Sequence, residues 1–75
     1  MIRRRSGRER ELLAELRAAR EAAGLSMREL SGRLKRSQNF CHLVESGTRS
    51  ITVIEFLEWC QVVGTDPAAI VRRVA

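Results

Sequence analysis

The sequence predicts an all-α domain of five short helices, in which the second and third helices are joined by a tight turn. Apolar residues recur at the three- and four-residue steps of a helix from residue 9 onward. β-branched residues cluster only near 51–54 and 62–63, without the alternation that is typical of strands. Two capping boxes, one Asp-Pro pair and three glycines at suitable spacings divide the chain into five helical segments.

The first helix is predicted from about Arg8 to Ala23, a segment rich in the strong helix formers Ala, Leu, Glu and Arg. Its apolar residues repeat on one face, and Gly24 should end it in a left-handed conformation. Ser26 is expected to cap the second helix, because Glu29 lies three positions later and completes a capping box.

The second helix should bury Met27, Leu30 and Leu34, which fall on one face. Gly32 interrupts this helix at a cost of roughly 1 kcal/mol relative to alanine. A close approach by another backbone would explain such a glycine, whereas an exposed position without a packing role needs no explanation. The sequence leaves both interpretations open.

A third helix should follow the turn formed by Lys35 and Arg36. Ser37 is expected to cap it, and it should run to about Glu45 and end at Gly47. Two further groups of residues follow from the helical repeat. Its inward residues should be Cys41 and Val44, and Phe40 is expected to pack in the core. Its outward residues should be Gln38, Asn39, His42 and Leu43.

The last two helices are also predicted from their ends. Thr52 should cap a fourth helix over 53–63, which a glycine ends. Asp66 is expected to cap the fifth helix, with Pro67 at its favoured first position. The apolar residues of these helices are expected to face inward: Val53, Phe56, Leu57, Cys60, Val63, Ile70, Val71 and Val74.

Positive charge is concentrated near the N-terminus. The chain has 75 residues and a net charge of +5, yet residues 1–10 hold five arginines and one glutamate, and the other 65 residues carry only +1. We therefore expect a flexible basic arm over 1–8 and one folded domain over 9–75. The arm suits contact with nucleic-acid phosphates or a minor groove, and it equally suits a solvated tail. Its arginines are Arg3, Arg4, Arg5 and Arg8.

The composition argues against several functional classes. No apolar run is long enough to span a membrane, and no apolar stretch follows the first arginines as in a secretory signal. Cys41 and Cys60 are expected to be buried thiols in a reducing cytoplasm. The chain has one histidine, no glycine-rich phosphate loop and no nucleophile beside a base. We therefore expect no enzyme activity, cofactor, metal or small-molecule ligand.

Four segments, in their order and spacing, resemble one family of DNA-binding proteins: LRAAREAAGLS, MRELSGRL, SQNFCHLVESGTR and FLEWCQVVGTDPAAIVRR. Together they are similar to the Cro/C1-type, or XRE, helix-turn-helix family, and the likeness covers Leu12 to Val74. It implies a lambda repressor-like fold with the helix-turn-helix at the second and third helices. Standalone relatives of this size are usually dimeric bacterial or phage regulators that act on DNA in the cytoplasm.

The resemblance implies that the third helix reads bases in the major groove. Its first positions match Ser37, Gln38 and Asn39, and an amide can donate and accept together at adenine N6 and N7. His42 and Leu43 match positions one turn further on, suited to a guanine acceptor or phosphate and to a thymine methyl. The implied base contacts are therefore Gln38, Asn39, His42 and Leu43, with ordinary solvated side chains as the alternative.

The resemblance also implies phosphate contacts around that helix. The loop SGTRS should present backbone N–H groups to phosphates, together with Thr48 and Arg49. Ser37, Arg28 and Arg36 should flank the same groove. For Arg28 and Arg36 taken singly, scattered surface arginines are the alternative.

Four other residues gain meaning from the resemblance. Arg20 and Glu45 match a buried salt bridge between the first and third helices of similar repressors, which would lock the recognition helix in place. Met27 stands where many relatives have a phosphate-binding glutamine. Lys35 stands where the turn usually has glycine, and a positive φ there would cost on the order of 1 kcal/mol unless the turn takes another shape.

The predicted function is a sequence-specific transcriptional regulator, a repressor or autoregulator, which binds a palindromic operator in double-stranded DNA as a homodimer. The dimer contact is expected at Thr65, Pro67, Ile70 and Val71, whose apolar members must also serve the core. Two alternatives stay open: a protein-interaction module such as an antitoxin or adaptor, and a restriction-modification controller protein.

Overall fold

Five α-helices and no strand make up residues 7–75, which confirms the predicted all-α class. The structure is a computed structural model of the chain, and residues 7–75 are the part that it describes. In chain order the helices are α1 (Gly7–Ala22), α2 (Met27–Arg33), α3 (Phe40–Glu45), α4 (Val53–Val63) and α5 (Pro67–Val74). α1 packs against α3, α4 and α5, and α2 packs against α3 and α4.

The start of α1 lies within one residue of the predicted start at about Arg8, but it overlaps the arm predicted over 1–8. The helix begins at Gly7, so Arg8 lies on a helix and not in an arm. Strong helix formers follow Arg8 from Glu9 onward, and Glu9 in the first turn interacts favourably with the helix dipole. The other three arginines predicted for the arm, at positions 3–5, lie outside the described residues.

Most helix ends follow the predicted local chemistry. The Ser26 hydroxyl accepts the Glu29 N–H at 3.0 Å, and the Glu29 carboxylate accepts the Ser26 N–H at 2.9 Å. Thr52 and Glu55 form the same reciprocal pair at the start of α4. Gly24 adopts φ +73°, the left-handed conformation that glycine favours, directly after α1.

The core is built around Trp59 of α4. Its side chain is fully buried, and its Nε1–H donates to the carbonyl of Leu16 on α1 at 3.3 Å. Leu30, Val44 and Ile70 place one fully buried side chain each on α2, α3 and α5. Each helix would therefore expose apolar surface to water if it detached from the others, which is unfavourable.

Three residues expected to face inward are instead exposed: Val53 and Leu57 of α4 and Val71 of α5. The inward side of α4 carries Trp59 and, one turn earlier, Glu55. α4 is apolar on nearly all sides, so periodicity alone could not indicate which side faces the core. No helix within residues 7–75 has the length and apolar character needed to cross a membrane.

The two open questions about α2 and its turn have clear answers. A Cβ atom on Gly32 would meet no atom within 4 Å, so no backbone approaches it and the position is simply exposed. Lys35 adopts φ +57°, so a lysine does occupy the left-handed conformation in the turn. The associated strain of on the order of 1 kcal/mol is present in this fold.

Candidate nucleic-acid interface

Residues 37–45, hereafter the recognition segment, begin with a turn and continue as α3. The helix starts at Phe40 and not at Ser37, and its N-cap residue Asn39 makes no side-chain capping bond. The Phe40 N–H donates to the Ser37 carbonyl at 3.0 Å, which closes a turn over 37–40. The predicted cap at Ser37 is therefore wrong, and the recognition segment presents its first residues from a turn.

A serine of the neighbouring helix takes the place of the missing cap. The buried hydroxyl of Ser31 on α2 accepts the Cys41 N–H at 3.0 Å and donates to the Met27 carbonyl at 2.8 Å. One backbone donor at the start of α3 is thereby satisfied from α2. The role of Ser31 was not predicted from the sequence. The signal was its place beside the buried Leu30, because a buried hydroxyl needs a hydrogen-bond partner.

The outward side of the recognition segment lines an open groove. Gln38, Asn39 and His42 are exposed there, opposite Ser26 and Arg28 at the start of α2, and Met27 completes a depression of about 550 Å³. Three of the four residues predicted to contact bases thus lie together, with one predicted phosphate contact beside them. Amide, imidazole and guanidinium groups supply both donors and acceptors to this groove.

Leu43, the fourth predicted base contact, is only half-buried at the edge of α3. Its carbonyl accepts the Arg49 N–H at 3.0 Å and the Ser46 hydroxyl at 3.2 Å. The backbone of Leu43 thus connects the recognition segment to the following loop, and its side chain is less exposed than the outward position predicted.

The groove continues toward α1. A second depression of about 260 Å³ shares Met27 and His42 with the first and reaches Arg17, Glu45 and Ser46. Arg17 is exposed and makes a 3.4 Å ion pair with Glu21 one turn along α1. Sequence analysis did not single out Arg17, because nothing in the chain indicated which side of α1 adjoins the recognition segment.

The loop after α3 uses backbone donors that were expected to face phosphates. The Gly47 N–H donates to the Val44 carbonyl, and the Arg49 N–H donates to the Leu43 carbonyl, each at 3.0 Å. These bonds satisfy carbonyls at the end of α3, which have no partner within the helix. The expectation is therefore wrong for these two amides. The exposed Thr48 hydroxyl lies 2.9 Å from the Ser46 hydroxyl.

Arg36 and Arg49 meet at one carboxylate. The terminal nitrogens of Arg49 donate to the two Glu55 oxygens at 2.8 and 2.9 Å, and Arg36 Nη2 lies 3.2 Å from Glu55 Oε2. Both guanidinium carbons lie over the Phe40 ring, 5.4 Å (Arg36) and 4.9 Å (Arg49) from its centroid. We call these four residues the Glu55 cluster.

The Glu55 cluster holds a buried negative charge. The hydrogen bonds from Arg49, and then the Thr52 N–H and the two positive charges, lower the pKa of Glu55 from 4.5 to about 2, against the opposing effect of burial. Phe40 is buried, as predicted. The sequence indicated phosphate contacts for Arg36 and Arg49 and a capping box at the start of α4, which Glu55 completes, but not an ion pair among them.

The ion pair between Arg20 and Glu45 is present and ties α1 to the recognition segment. Arg20 Nε donates to Glu45 Oε2 at 2.6 Å, and Nη2 donates to Oε1 at 3.1 Å. Arg20 Nη1 also donates to the Leu25 carbonyl at 2.8 Å. The guanidinium thus joins α1, the loop before α2 and the last residue of α3.

The four residues predicted for a dimer contact differ in their exposure. Ile70 is fully buried and cannot contact a partner, while Thr65 and Pro67 are half-buried. Only Val71 is exposed. The large exposed apolar side chains are Val53 (73% exposed), Ile54 (64%), Leu57 (43%) and Val71 (53%), which we call the α4–α5 patch.

Titratable groups outside these ion pairs form no further site in the described chain. Cys41 and Cys60 are free and buried, and burial raises the pKa of each thiol. Among residues 7–75, no three His, Cys, Asp or Glu side chains are grouped as metal ligands would be.

Comparison with known proteins agrees with this architecture. The family model described as a helix-turn-helix domain matches residues 11–72. Among solved structures, the chain is similar to an XRE-family like protein from Pseudomonas syringae pv. tomato str. DC3000, with a TM-score of 0.84 and 42% identity over 89% of this chain and 82% of that one. No curated protein matches the sequence significantly. The chain therefore belongs to the XRE-type helix-turn-helix family of DNA-binding regulators.

Proposed function

We propose that the protein is a sequence-specific transcriptional regulator, a repressor or autoregulator, which binds a palindromic operator as a homodimer through the recognition segment. The observation that carries this proposal is the groove in which Gln38, Asn39 and His42 are exposed together beside the start of α2. Ser31 and Arg20 fix that segment to α2 and α1, so its side chains enter a major groove from a rigid support. As a DNA-binding regulator, the protein should act on DNA in the cytoplasm.

Base recognition falls to the exposed polar side chains. Gln38 and Asn39 can each pair with adenine N6 and N7 through one amide. His42, one turn further on, can donate to a guanine acceptor, and the half-buried Leu43 offers an apolar edge for a thymine methyl. Placing Gln38 and Asn39 in a turn allows both to point away from the helix axis.

Phosphate contacts surround these base contacts on both sides. Arg28 lines the groove, Ser37 is exposed next to Gln38 in the chain, Arg17 extends the groove along α1, and the Thr48 hydroxyl lies beyond the end of α3. Arg36 and Arg49 contribute from the Glu55 cluster. Residues 9 onward carry little net charge, so affinity should depend on a few placed contacts, supplemented by the arginines of residues 3–8.

Dimerisation supplies what a single small domain lacks. One module of this kind buries too little surface for tight specific binding, and a two-fold pair on a palindrome doubles it. We assign the partner contact to the α4–α5 patch, because its four exposed apolar side chains are otherwise open to water. Thr65 and Pro67 can lie at the edge of that contact.

The test is selection of duplexes from a random-sequence pool, followed by fluorescence anisotropy at about 0.15 M salt. The selected duplex should bind roughly a thousandfold or more tightly than a scrambled duplex. Gln38→Ala and Asn39→Ala should each reduce that ratio by about tenfold, with circular dichroism unchanged. Equal and steeply salt-dependent binding to both duplexes would refute sequence-specific recognition.

A second candidate function is a protein-interaction module of the antitoxin or adaptor type. The α4–α5 patch favours it, since an exposed apolar surface can bind a different protein as well as a second copy. Light scattering separates the two candidates. The interaction module is favoured if the protein is a monomer at tens of micromolar and no duplex is enriched from the random pool.

A further inference from the structure

The Glu55 cluster connects both ends of the recognition segment to α4. Arg36 lies in the turn before the segment, Arg49 lies in the loop after it, and Phe40 is the first residue of α3. The two arginines meet at the Glu55 carboxylate on α4, and both lie over the Phe40 ring. The proposed base and phosphate contacts leave Glu55 without a role beyond its cap on α4.

We propose that Glu55 is a positioning residue of the DNA interface: it holds the guanidinium groups of Arg36 and Arg49 over Phe40 as a two-pronged clasp for one backbone phosphate of the duplex. This inference rests on the proposed DNA-binding function. It assigns to Glu55 a part in DNA binding although its own charge is repelled by DNA.

Exposure places the three charges in the right order. The side chains of Arg36 and Arg49 are 39% and 38% exposed, whereas the Glu55 side chain is 5% exposed. A phosphate that approaches the cluster therefore meets the guanidinium groups, and the carboxylate lies behind them. Two arginines and one glutamate leave the cluster itself with a net positive charge. Glu58, 3.8 Å from Arg36 Nη2, partly offsets that charge, so attraction of a phosphate depends on the placement of the two guanidinium groups.

Hydrogen-bonding capacity also remains for a phosphate. A guanidinium has five N–H donors, and Glu55 engages only Nη2 of Arg36. On Arg49 it engages Nη1 and Nη2, and Nη1 also donates to the Ser50 carbonyl. The Nε of each arginine is not used by the carboxylate. Because both side chains already have fixed rotamers, less conformational entropy is lost when a phosphate binds.

Positioning and simple electrostatics make opposite predictions for Glu55→Gln. Loss of one negative charge near DNA should strengthen binding if only net charge matters. Loss of the clasp should weaken it. Glu58→Gln is the matched control, since Glu58 lies one turn along α4, is half-exposed and stands 3.8 Å from the same Nη2 of Arg36. It removes the same charge without dismantling the cluster.

The experiment uses the full chain and a duplex selected from a random pool. Its phosphates are replaced one at a time by neutral methylphosphonates, and affinities are measured by anisotropy. For the wild type, one or two adjacent replacements should cost about tenfold. With Glu55→Gln, the unmodified duplex should bind about fivefold more weakly, and the same replacements should cost less than about twofold.

The control variant fixes how each outcome is interpreted. Glu58→Gln should retain the wild-type phosphate map and bind no more weakly than the wild type. The proposal is overturned if Glu55→Gln binds more tightly, as net charge predicts, or if its phosphate map matches that of the wild type. If no duplex is enriched by the wild type, the proposed function itself has failed.

Arg49→Lys keeps the inference testable if Glu55→Gln does not fold, as judged by circular dichroism. Lysine retains the positive charge, but it cannot form the two-point contact with Glu55. It also lacks the planar guanidinium group that stacks on Phe40. The same phosphate should lose its effect in this variant. An unchanged phosphate map with Arg49→Lys would refute the clasp on its own.

Discussion

At the scale of single residues, two buried polar side chains connect elements that are distant in sequence. Ser31 accepts a hydrogen bond from a backbone N–H of α3, ten residues away. Glu55 accepts hydrogen bonds from Arg49 and forms an ion pair with Arg36, and these two arginines flank the recognition segment. Buried polar groups are costly when unpaired, so each of these contacts also specifies one relative placement of two elements. Both residues lie close to the side chains proposed to contact bases. Ser31 bonds to Cys41, which precedes His42, and Glu55 pairs with Arg36, two residues before Gln38.

Ser31→Ala should destabilise the fold by about 1–3 kcal/mol, because the buried Cys41 N–H would lose its acceptor. Ser37→Ala is the control, since Ser37 is exposed and its side chain does not cap α3; it should change stability by less than about 0.5 kcal/mol. Urea denaturation measures both. Equal effects of the two substitutions would mean that the Ser31 hydroxyl is dispensable and that α3 finds its cap elsewhere.

Glu55 should make stability depend on acid. Its pKa is about 2 in the folded chain and 4.5 ordinarily, so its stabilising effect is complete above pH 4.5 and is lost as pH falls toward 2. The loss amounts to at most about 3 kcal/mol. Denaturation at a series of pH values should therefore give a steeper decline for the wild type and for Glu58→Gln than for Glu55→Gln. Parallel curves for all three would contradict the ion pair.

At the scale of helices, local chemistry predicted the ends and long-range contacts decided the faces. Capping boxes and glycine stops lie within four residues, so Ser26 with Glu29 and Thr52 with Glu55 could be recognised from sequence. The rotation of α4 could not, because apolar residues occupy most of its surface. The start of α3 was also missed, since its cap comes from another helix. Predicting the Glu55 cluster required knowing that two loops meet at α4.

Gly24, which follows α1, and Gly32, which lies within α2, should respond oppositely to substitution by alanine. Gly32→Ala should stabilise the protein by roughly 0.5–1 kcal/mol, because Gly32 is helical and a Cβ there meets no atom within 4 Å. Gly24→Ala should destabilise it by about 1–2 kcal/mol, because Gly24 has φ +73°. Thermal melts compare the two. A destabilising Gly32→Ala would contradict the open, helical position of Gly32 in this fold.

At the scale of the whole molecule, the proposed DNA surface and the α4–α5 patch use different parts of the fold. The recognition segment faces a polar groove with α2, whereas the patch carries Val53, Ile54, Leu57 and Val71. The predicted dimer contact includes Ile70, but the Ile70 side chain is fully buried in the core of the domain. Family likeness therefore located the protein's function in general terms, and only side-chain burial distinguished an available surface from a packed one.

Ile54→Lys should separate dimerisation from folding. Ile54 is 64% exposed, so a lysine costs little stability in the monomer, while two lysines brought together across a two-fold contact repel each other and displace apolar surface. Light scattering should show a dimer for the wild type and a monomer for Ile54→Lys, with matching thermal melts at low concentration. Ala18→Lys, on exposed α1 surface outside the patch, should stay dimeric.

Operator binding by Ile54→Lys should weaken at least about tenfold and lose its dependence on half-site spacing, because two separate domains no longer bind as one unit. A dimer that survives both Ile54→Lys and Val71→Lys would exclude the α4–α5 patch as the contact and return the search to Thr65 and Pro67.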